Sequence, residues 1–200
     1  MKASDVQQAY SSVSHLYIDC FGSGQYEHPD DLRLMDRHLG HLTGPVLDVG
    51  CGPGHLTGYL SSRCPDVTGI DMVPEFIAHA RQAHPTARFE LGSIASPTWA
   101  DGSVAGVLAW YSLIHFESSE LDDALAEIRR ILAPRGVLVV GFFEGPRCEP
   151  FEHKVIRAYR WPVDEIARRL ATSGFIELER LQRPGDGERR AHGAIVVAAA

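Results

Sequence analysis

Glycine stands at positions 50, 52 and 54, directly behind Asp48, and a later apolar run ends in a second acid, Asp71. Glycines at alternate positions let the backbone turn sharply and approach a ligand closely, because no side chain intervenes. A carboxylate at a strand end offers two acceptor oxygens, which match the vicinal hydroxyls of a ribose. Glycine loop and strand-end acid together are the means by which an α/β fold grips an adenosine ribose. Asp71 has a second role open to it, as N-cap of a helix with Pro74 in its first turn. His55 occupies the place where a dinucleotide fingerprint needs its third glycine. That residue argues against a nicotinamide-dependent oxidoreductase, which would share the fold and the acid.

Of the ten histidines, His115 is the one placed for general-base chemistry, because it follows an apolar strand and the pair Trp110-Tyr111. A hydrogen-bonded structural histidine is the alternative. No His-x-x-x-His with an acidic partner and no Cys-x-x-Cys occurs, so no metal site is expected. Cys20, Cys51, Cys64 and Cys148 read as free thiols of a reducing compartment.

These residues need a scaffold. Apolar runs at Val46–Val49 and at 67–70, 87–91, 104–109 and 136–143 alternate with helical patterns that begin near Gly54, Pro74 and Leu121. Strands separated by helices imply crossover connections and a mainly parallel sheet. Residues 4–19 read as one helix and 30–39 as a second. Residues 162–173 read as a third, with Gly174 suited to its C-terminal cap. The runs 175–181 and 194–199 have no helix between them and should pair antiparallel. Segment 144–161 is long for a simple connection, a trait of functional loops.

With Val46-Leu47-Asp48-Val49-Gly50-Cys51-Gly52-Pro53-Gly54, Val67-Thr68-Gly69-Ile70-Asp71-Met72 and Val107-Leu108-Ala109-Trp110 in place, the chain resembles the class I S-adenosylmethionine-dependent methyltransferases. The resemblance is to their small-molecule, methyltransferase type 11-like branch. It is firm over residues 46–143 and reaches the two ends in outline. It implies a Rossmann-like, doubly wound, mainly parallel seven-stranded α/β sheet with a C-terminal antiparallel hairpin and an N-terminal helical lid. The cofactor implied is S-adenosyl-L-methionine. Gly50 and Gly52 would then leave room for its methionine end, with Cys51 contributing backbone. Asp48 would attract its ammonium, directly or through water. Asp71 would hold the ribose and Met72 would lie against the adenine, a core methionine being the alternative. Ser93 stands where relatives carry an acid for the adenine amino group, and Ile94 would supply an apolar wall. Ala109 and Trp110 would flank the cofactor, and Tyr17 would close its methionine end. Tyr10 reads equally as core. Arg33 has two readings, a cofactor carboxylate contact and an exposed helix arginine. The acceptor pocket is expected between the N-terminal helices, Trp110-Tyr111 and segment 144–161.

A chain of 200 residues with 44% hydrophobic content suits one domain. We expect a lid over 1–43, a cofactor-binding core over 44–143, a substrate-side insertion over 144–161 and a C-terminal helix and hairpin over 162–200. A net charge of −7 argues against a nucleic-acid partner. No apolar run reaches the ~18 residues of a membrane span, and a cytoplasmic location follows as an expectation. The expected activity is methyl transfer to a small-molecule acceptor with release of S-adenosylhomocysteine. A macromolecular acceptor and a non-catalytic cofactor-binding role are the alternatives.

Overall fold

Short apolar runs flanked by amphipathic helices can bury both of their faces only as inner strands of a sheet covered on both sides. The computed structural model, which describes residues 3–23, 27–95, 99–187 and 189–200, has that form. Its elements are α1 (Ala3–Ser12), α2 (Ser14–Phe21), α3 (Pro29–His38), β1 (Val46–Val49), α4 (His55–Ser61), β2 (Val67–Asp71), α5 (Pro74–Ala83), β3 (Arg88–Leu91) and β4 (Val104–Trp110). They continue with α6 (Ser118–Ile131), β5 (Leu132–Glu144), β6 (Glu149–Phe151), β7 (Ala158–Trp161), α7 (Val163–Thr172), β8 (Phe175–Arg183) and β9 (His192–Ala199).

Strands β3, β2, β1, β4 and β5 lie side by side in that order and run parallel. Beyond β5 comes β9, antiparallel from Val137↔Ala198 to Phe143↔His192, and then β8, antiparallel to β9. The strand order therefore reverses between β1 and β4, and at such a point the carboxyl ends of the strands leave a crevice.

Side-chain alternation sorts the core into two layers. Leu47, Val49, Val107 and Ala109 pack with the apolar stripe Leu121, Leu125 and Ile128 of α6 and with Leu170 of α7. Val46, Leu108 and Trp110 pack on the opposite face with Leu34, Met35 and Leu39 and with Leu56 and Leu60 of α4. Helix α6 begins at a reciprocal cap in which Glu117 N–H donates to Glu120 at 2.9 Å. Gly174, at φ 84°, ends α7 in the left-handed conformation that a side chain disfavours. Among the described residues no helix is long and apolar enough to cross a membrane.

Three expectations are corrected. The N-terminal helix is broken at Val13, whose φ of −119° and ψ of 13° leave helical geometry, so α1 and α2 meet at a bend. Helix α3 is no part of a lid: Leu34, Met35 and Leu39 are fully buried against the sheet. Segment 144–161 is no open loop but an antiparallel β6–β7 hairpin, which brings the described strands to nine. Strand β7 pairs in parallel with Phe143 and Glu144 of β5, beyond Gly141, where the β4 pairing ends. The hairpin thus continues the sheet past the end of β4, on the side where the crevice opens.

Candidate active site

Over the carboxyl ends of β1 to β4 lies a cavity open to solvent and lined mainly by apolar and aromatic side chains. Its floor is the loop after β1. Gly50, at φ 69°, donates its N–H to Ile70 O at 2.8 Å, and a Cβ on it would lie 2.4 Å from Ser112 Cβ. Gly52, at φ 53°, is different: its nearest neighbour would be Tyr17 Cε1 at 3.9 Å, so the room above it is the cavity itself.

Asp71 ties this floor to its wall. Its Oδ2 accepts from Gly52 N–H at 2.9 Å, and its Oδ1 accepts from Val73 N–H at 2.9 Å. The helix-capping role and the loop-bracing role are therefore both real, and each oxygen keeps a further lone pair for a ligand. Burial raises the Asp71 carboxyl above the usual carboxylate range, opposed by backbone bonds from Val73, Gly52 and Met72. Met72, Ser93 and Ile94 continue the wall. Ser93 Oγ accepts from Ala95 N–H at 3.2 Å, which fixes the turn after β3.

Trp110, Ser112 and His115 form the facing wall. Trp110 Nε1 and Ser112 Oγ are buried without a hydrogen-bond partner among the described residues. The roof comes from α1 and α2: Tyr10 and Tyr17 meet edge to face at 5.4 Å, and Tyr17 lies 5.2 Å from the Phe76 ring. Burial pushes the Tyr17 hydroxyl up to about 12, aided by the charges of Asp71 and Glu27.

His115 is 4% exposed and held at both nitrogens. Nδ1 lies 2.7 Å from Arg157 O, and Nε2 lies 2.9 Å from Tyr10 Oη. A carbonyl only accepts, so Nδ1 carries the proton and the bare Nε2 accepts from the Tyr10 hydroxyl. Burial lowers the His115 pKa, which keeps the ring neutral.

Tyr17, Gly50, Gly52, Asp71, Met72, Ser93, Ile94, Trp110 and His115 are thus brought onto one cavity. Three expected contact residues are not. Asp48 points to the α4 face, where Thr57 Oγ1 donates to it at 2.6 Å, and it is 2% exposed. Cys51 packs under the loop with Ile77, Ala80 and Phe89. Ala109 faces α6 because its neighbour Trp110 takes the cavity side. Arg33 pairs with Asp30 on the surface. Segment 144–161 reaches the site through the Arg157 carbonyl and through His153, whose ring lies 5.7 Å from that of His115.

Sequence reasoning missed one buried network. Tyr111, at φ 54°, sits on the wall with its hydroxyl 2.5 Å from His192 Nδ1. His192 Nε2 lies 3.5 Å from Asp31, which accepts from Arg183 at 2.7 and 3.1 Å. Burial lowers His192 to about 4, so it is neutral and accepts from Tyr111. The partners span α3, the loop after β4 and both C-terminal strands, a separation no local pattern reveals.

Residues 46–136 match the family model described as a methyltransferase domain. The malonyl-[acyl-carrier protein] O-methyltransferase of Pectobacterium atrosepticum is 36% identical over 107 residues, 54% of this chain and 40% of that protein. The trans-aconitate 2-methyltransferase of Variovorax paradoxus is 36% identical over 115 residues, 56% and 43% respectively. The matched stretch therefore spans about two fifths of those relatives' lengths. The crystal structure of the Burkholderia thailandensis 1,6-didemethyltoxoflavin-N1-methyltransferase, bound to 1,6-didemethyltoxoflavin and S-adenosylhomocysteine, shares the fold at a TM-score of 0.80 and 20% identity. That likeness covers 99% of this chain and 88% of the other. Residues 46–136 are thus similar to the methyltransferase-domain family, and the chain as a whole shares the fold of a solved methyltransferase.

Proposed function

We propose that the protein transfers the methyl group of S-adenosylmethionine to a small-molecule acceptor and releases S-adenosylhomocysteine. The observation that carries this reading is Asp71, buried on the cavity wall with lone pairs to spare and braced against the open floor at Gly52. The residues present fit the cofactor. Asp71 takes the ribose hydroxyls, and Met72 and Ile94 flank the adenine with Ser93 as an uncharged acceptor for its amino group. Gly52 leaves the space beneath Tyr17 open for the methionine end, and Gly50 allows the close approach of its loop to Ser112. Bound there, the cofactor supplies a methyl group on positively charged sulfur, open to in-line displacement.

What the chain itself does is position and exclude. The aromatic roof and wall keep water from the reacting atoms, and holding the acceptor behind the methyl group removes most of the entropic barrier. The similarity to a malonyl-[acyl-carrier protein] O-methyltransferase and a trans-aconitate 2-methyltransferase favours a small or carrier-borne acceptor. All described strands join one sheet, which supports reading residues 1–200 as one methyltransferase domain. Four unpaired cysteines favour the cytoplasm. Calorimetric titration with S-adenosylhomocysteine tests the cofactor assignment: micromolar or tighter binding is expected, and no binding by the folded protein refutes it.

A further inference from the structure

Tyr111 and His115 both line the cavity, and a path of rings outside it joins them. The Phe143 ring lies 4.8 Å from that of Tyr111, His153 lies 5.9 Å from Phe143, and His115 lies 5.7 Å from His153. Phe151 stands edge to face with Phe143 at 5.3 Å. Strand β5 and the β6–β7 hairpin supply the outer rings, because β7 pairs with β5 beyond the end of β4. Tyr111, Phe143, Phe151 and His153 are all half-buried, so the tract keeps an open side.

Cations border this tract, and they are not equivalent. The Arg160 guanidinium lies 4.6 Å from the centre of the Phe151 ring, and that of Arg190 lies 4.5 Å from it and 5.7 Å from Phe143. Arg160 shares Glu149 with Arg147, so its charge is answered. Arg190 donates to the Glu152 carbonyl at 3.4 Å. Arg190 and Lys154 are exposed, and neither pairs with a carboxylate among the described residues. Burial pushes His153 down to about 4, and Arg190 and Lys154 are near enough to be among the groups that add to the push. Two positive charges thus stand unanswered beside one aromatic patch, on a chain whose net charge is −7. Like charges gathered in that way favour an anion between them. A guanidinium held over a ring also keeps N–H groups at its edge to receive one.

We infer that this tract is the acceptor subsite and that it selects an anionic acceptor. An apolar or aromatic body lies along Tyr111, Phe143 and Phe151, and a carboxylate or phosphate group meets Arg190 and Lys154. The inference rests on the methyl-transfer reading. Neither cation is among the residues that line the cavity, so the anion is an anchor and a different atom of the same molecule receives the methyl group. An anchor remote from the reacting atom supplies affinity, and by fixing one end of the acceptor it orients the other.

A staple that merely ties the β8–β9 connection to the hairpin would use the same stacking, and probe charge separates the two roles. Protein saturated with S-adenosylhomocysteine is titrated by fluorescence with anilinonaphthalenesulfonate, an aromatic anion, and with uncharged N-phenylnaphthylamine. R190Q should weaken the anion roughly tenfold or more, the worth of one charge-assisted bond, and leave the uncharged probe within about twofold. Its affinity for S-adenosylhomocysteine should also stay within about twofold, which shows that the variant folds. Equal affinity of R190Q and wild type for the anion, or equal losses for both probes, would overturn the subsite and reduce Arg190 to a staple. The protein is next incubated with methyl-tritiated S-adenosylmethionine and a small-molecule extract of bacterial cells. The labelled product, freed of unreacted cofactor, is applied to an anion exchanger at about pH 8, where carboxylates and phosphates are ionised. Retained label is expected, formed by R190Q roughly tenfold more slowly at limiting extract and at a rate that more extract restores. Label confined to the flow-through would overturn the inference and leave the methyl-transfer reading standing. Failure of the folded wild-type protein to bind S-adenosylhomocysteine would overturn that reading and the inference with it.

Discussion

Replacing Asp48 with asparagine should abolish a loss of stability that the wild-type protein suffers as pH rises. Asp48 is 2% exposed, and Thr57 Oγ1 donates to it at 2.6 Å. Burial pushes its carboxyl from 3.8 up to about 6, with the Thr57 bond opposing the shift. The unfolded chain therefore gives up this proton at lower pH than the folded one. Stability is whole below about pH 4, falls as pH rises toward about 6, and stays reduced above that. The interval from 3.8 to about 6 corresponds to roughly 3 kcal/mol, about 1.5 kcal/mol of it between pH 5 and 8. Asparagine has the same shape, keeps an oxygen for Thr57 and carries no charge. Its amide N–H adds a cost of about 1–3 kcal/mol if left unpaired, but that cost does not vary with pH. The diagnostic quantity is thus the slope. Urea unfolding followed by circular dichroism, without cofactor, should show D48N gaining about 1.5 kcal/mol on wild type between pH 5 and 8. Parallel pH profiles would refute the buried-charge account.

D71N should weaken S-adenosylhomocysteine binding by about 1.5–3 kcal/mol and lower unfolding free energy by about 1–3 kcal/mol. The second effect arises because one of the Gly52 and Val73 N–H groups loses its acceptor; unchanged calorimetric affinity would remove the ribose role. In G52V the side chain enters the cavity space that now reaches to Tyr17, so binding should vanish, while the positive φ costs about 1–2 kcal/mol of stability. Normal titration by a folded G52V would show that the loop does not cradle the cofactor. S93D keeps an acceptor for Ala95 N–H and adds charge toward the adenine amino group, so affinity should hold or rise. Marked weakening would mean that Ser93 makes no such contact.

The glycine loop and Asp71 were legible because their chemistry is local: a tight turn, then an acid at the end of the next strand. The mainly parallel sheet followed from alternation of apolar runs with helices, whereas the order of its strands did not. Asp48 was harder. All four residues of β1 are buried, so polarity could not tell which face its carboxylate takes. The β6–β7 hairpin escaped notice because β6 is three residues long with Pro150 in its middle, which reads as a break. The Tyr10–His115 and Asp31–Arg183 pairs join residues more than a hundred positions apart, and only the packed sheet brings them together.

The place of β9 sets the order in which this molecule can be finished. It is the last of the described strands, yet it lies between β5 and β8, and Ile195, Val196 and Val197 are at most 1% exposed. During synthesis β5 is complete roughly fifty residues before its neighbour β9 leaves the ribosome. Until then Val137–Phe143 presents an unpaired, largely apolar edge, the kind of surface that chaperones shield and aggregates recruit. Completion of β5 thus waits on a partner that follows it by some fifty residues, and closure of so long a loop should make that step slow.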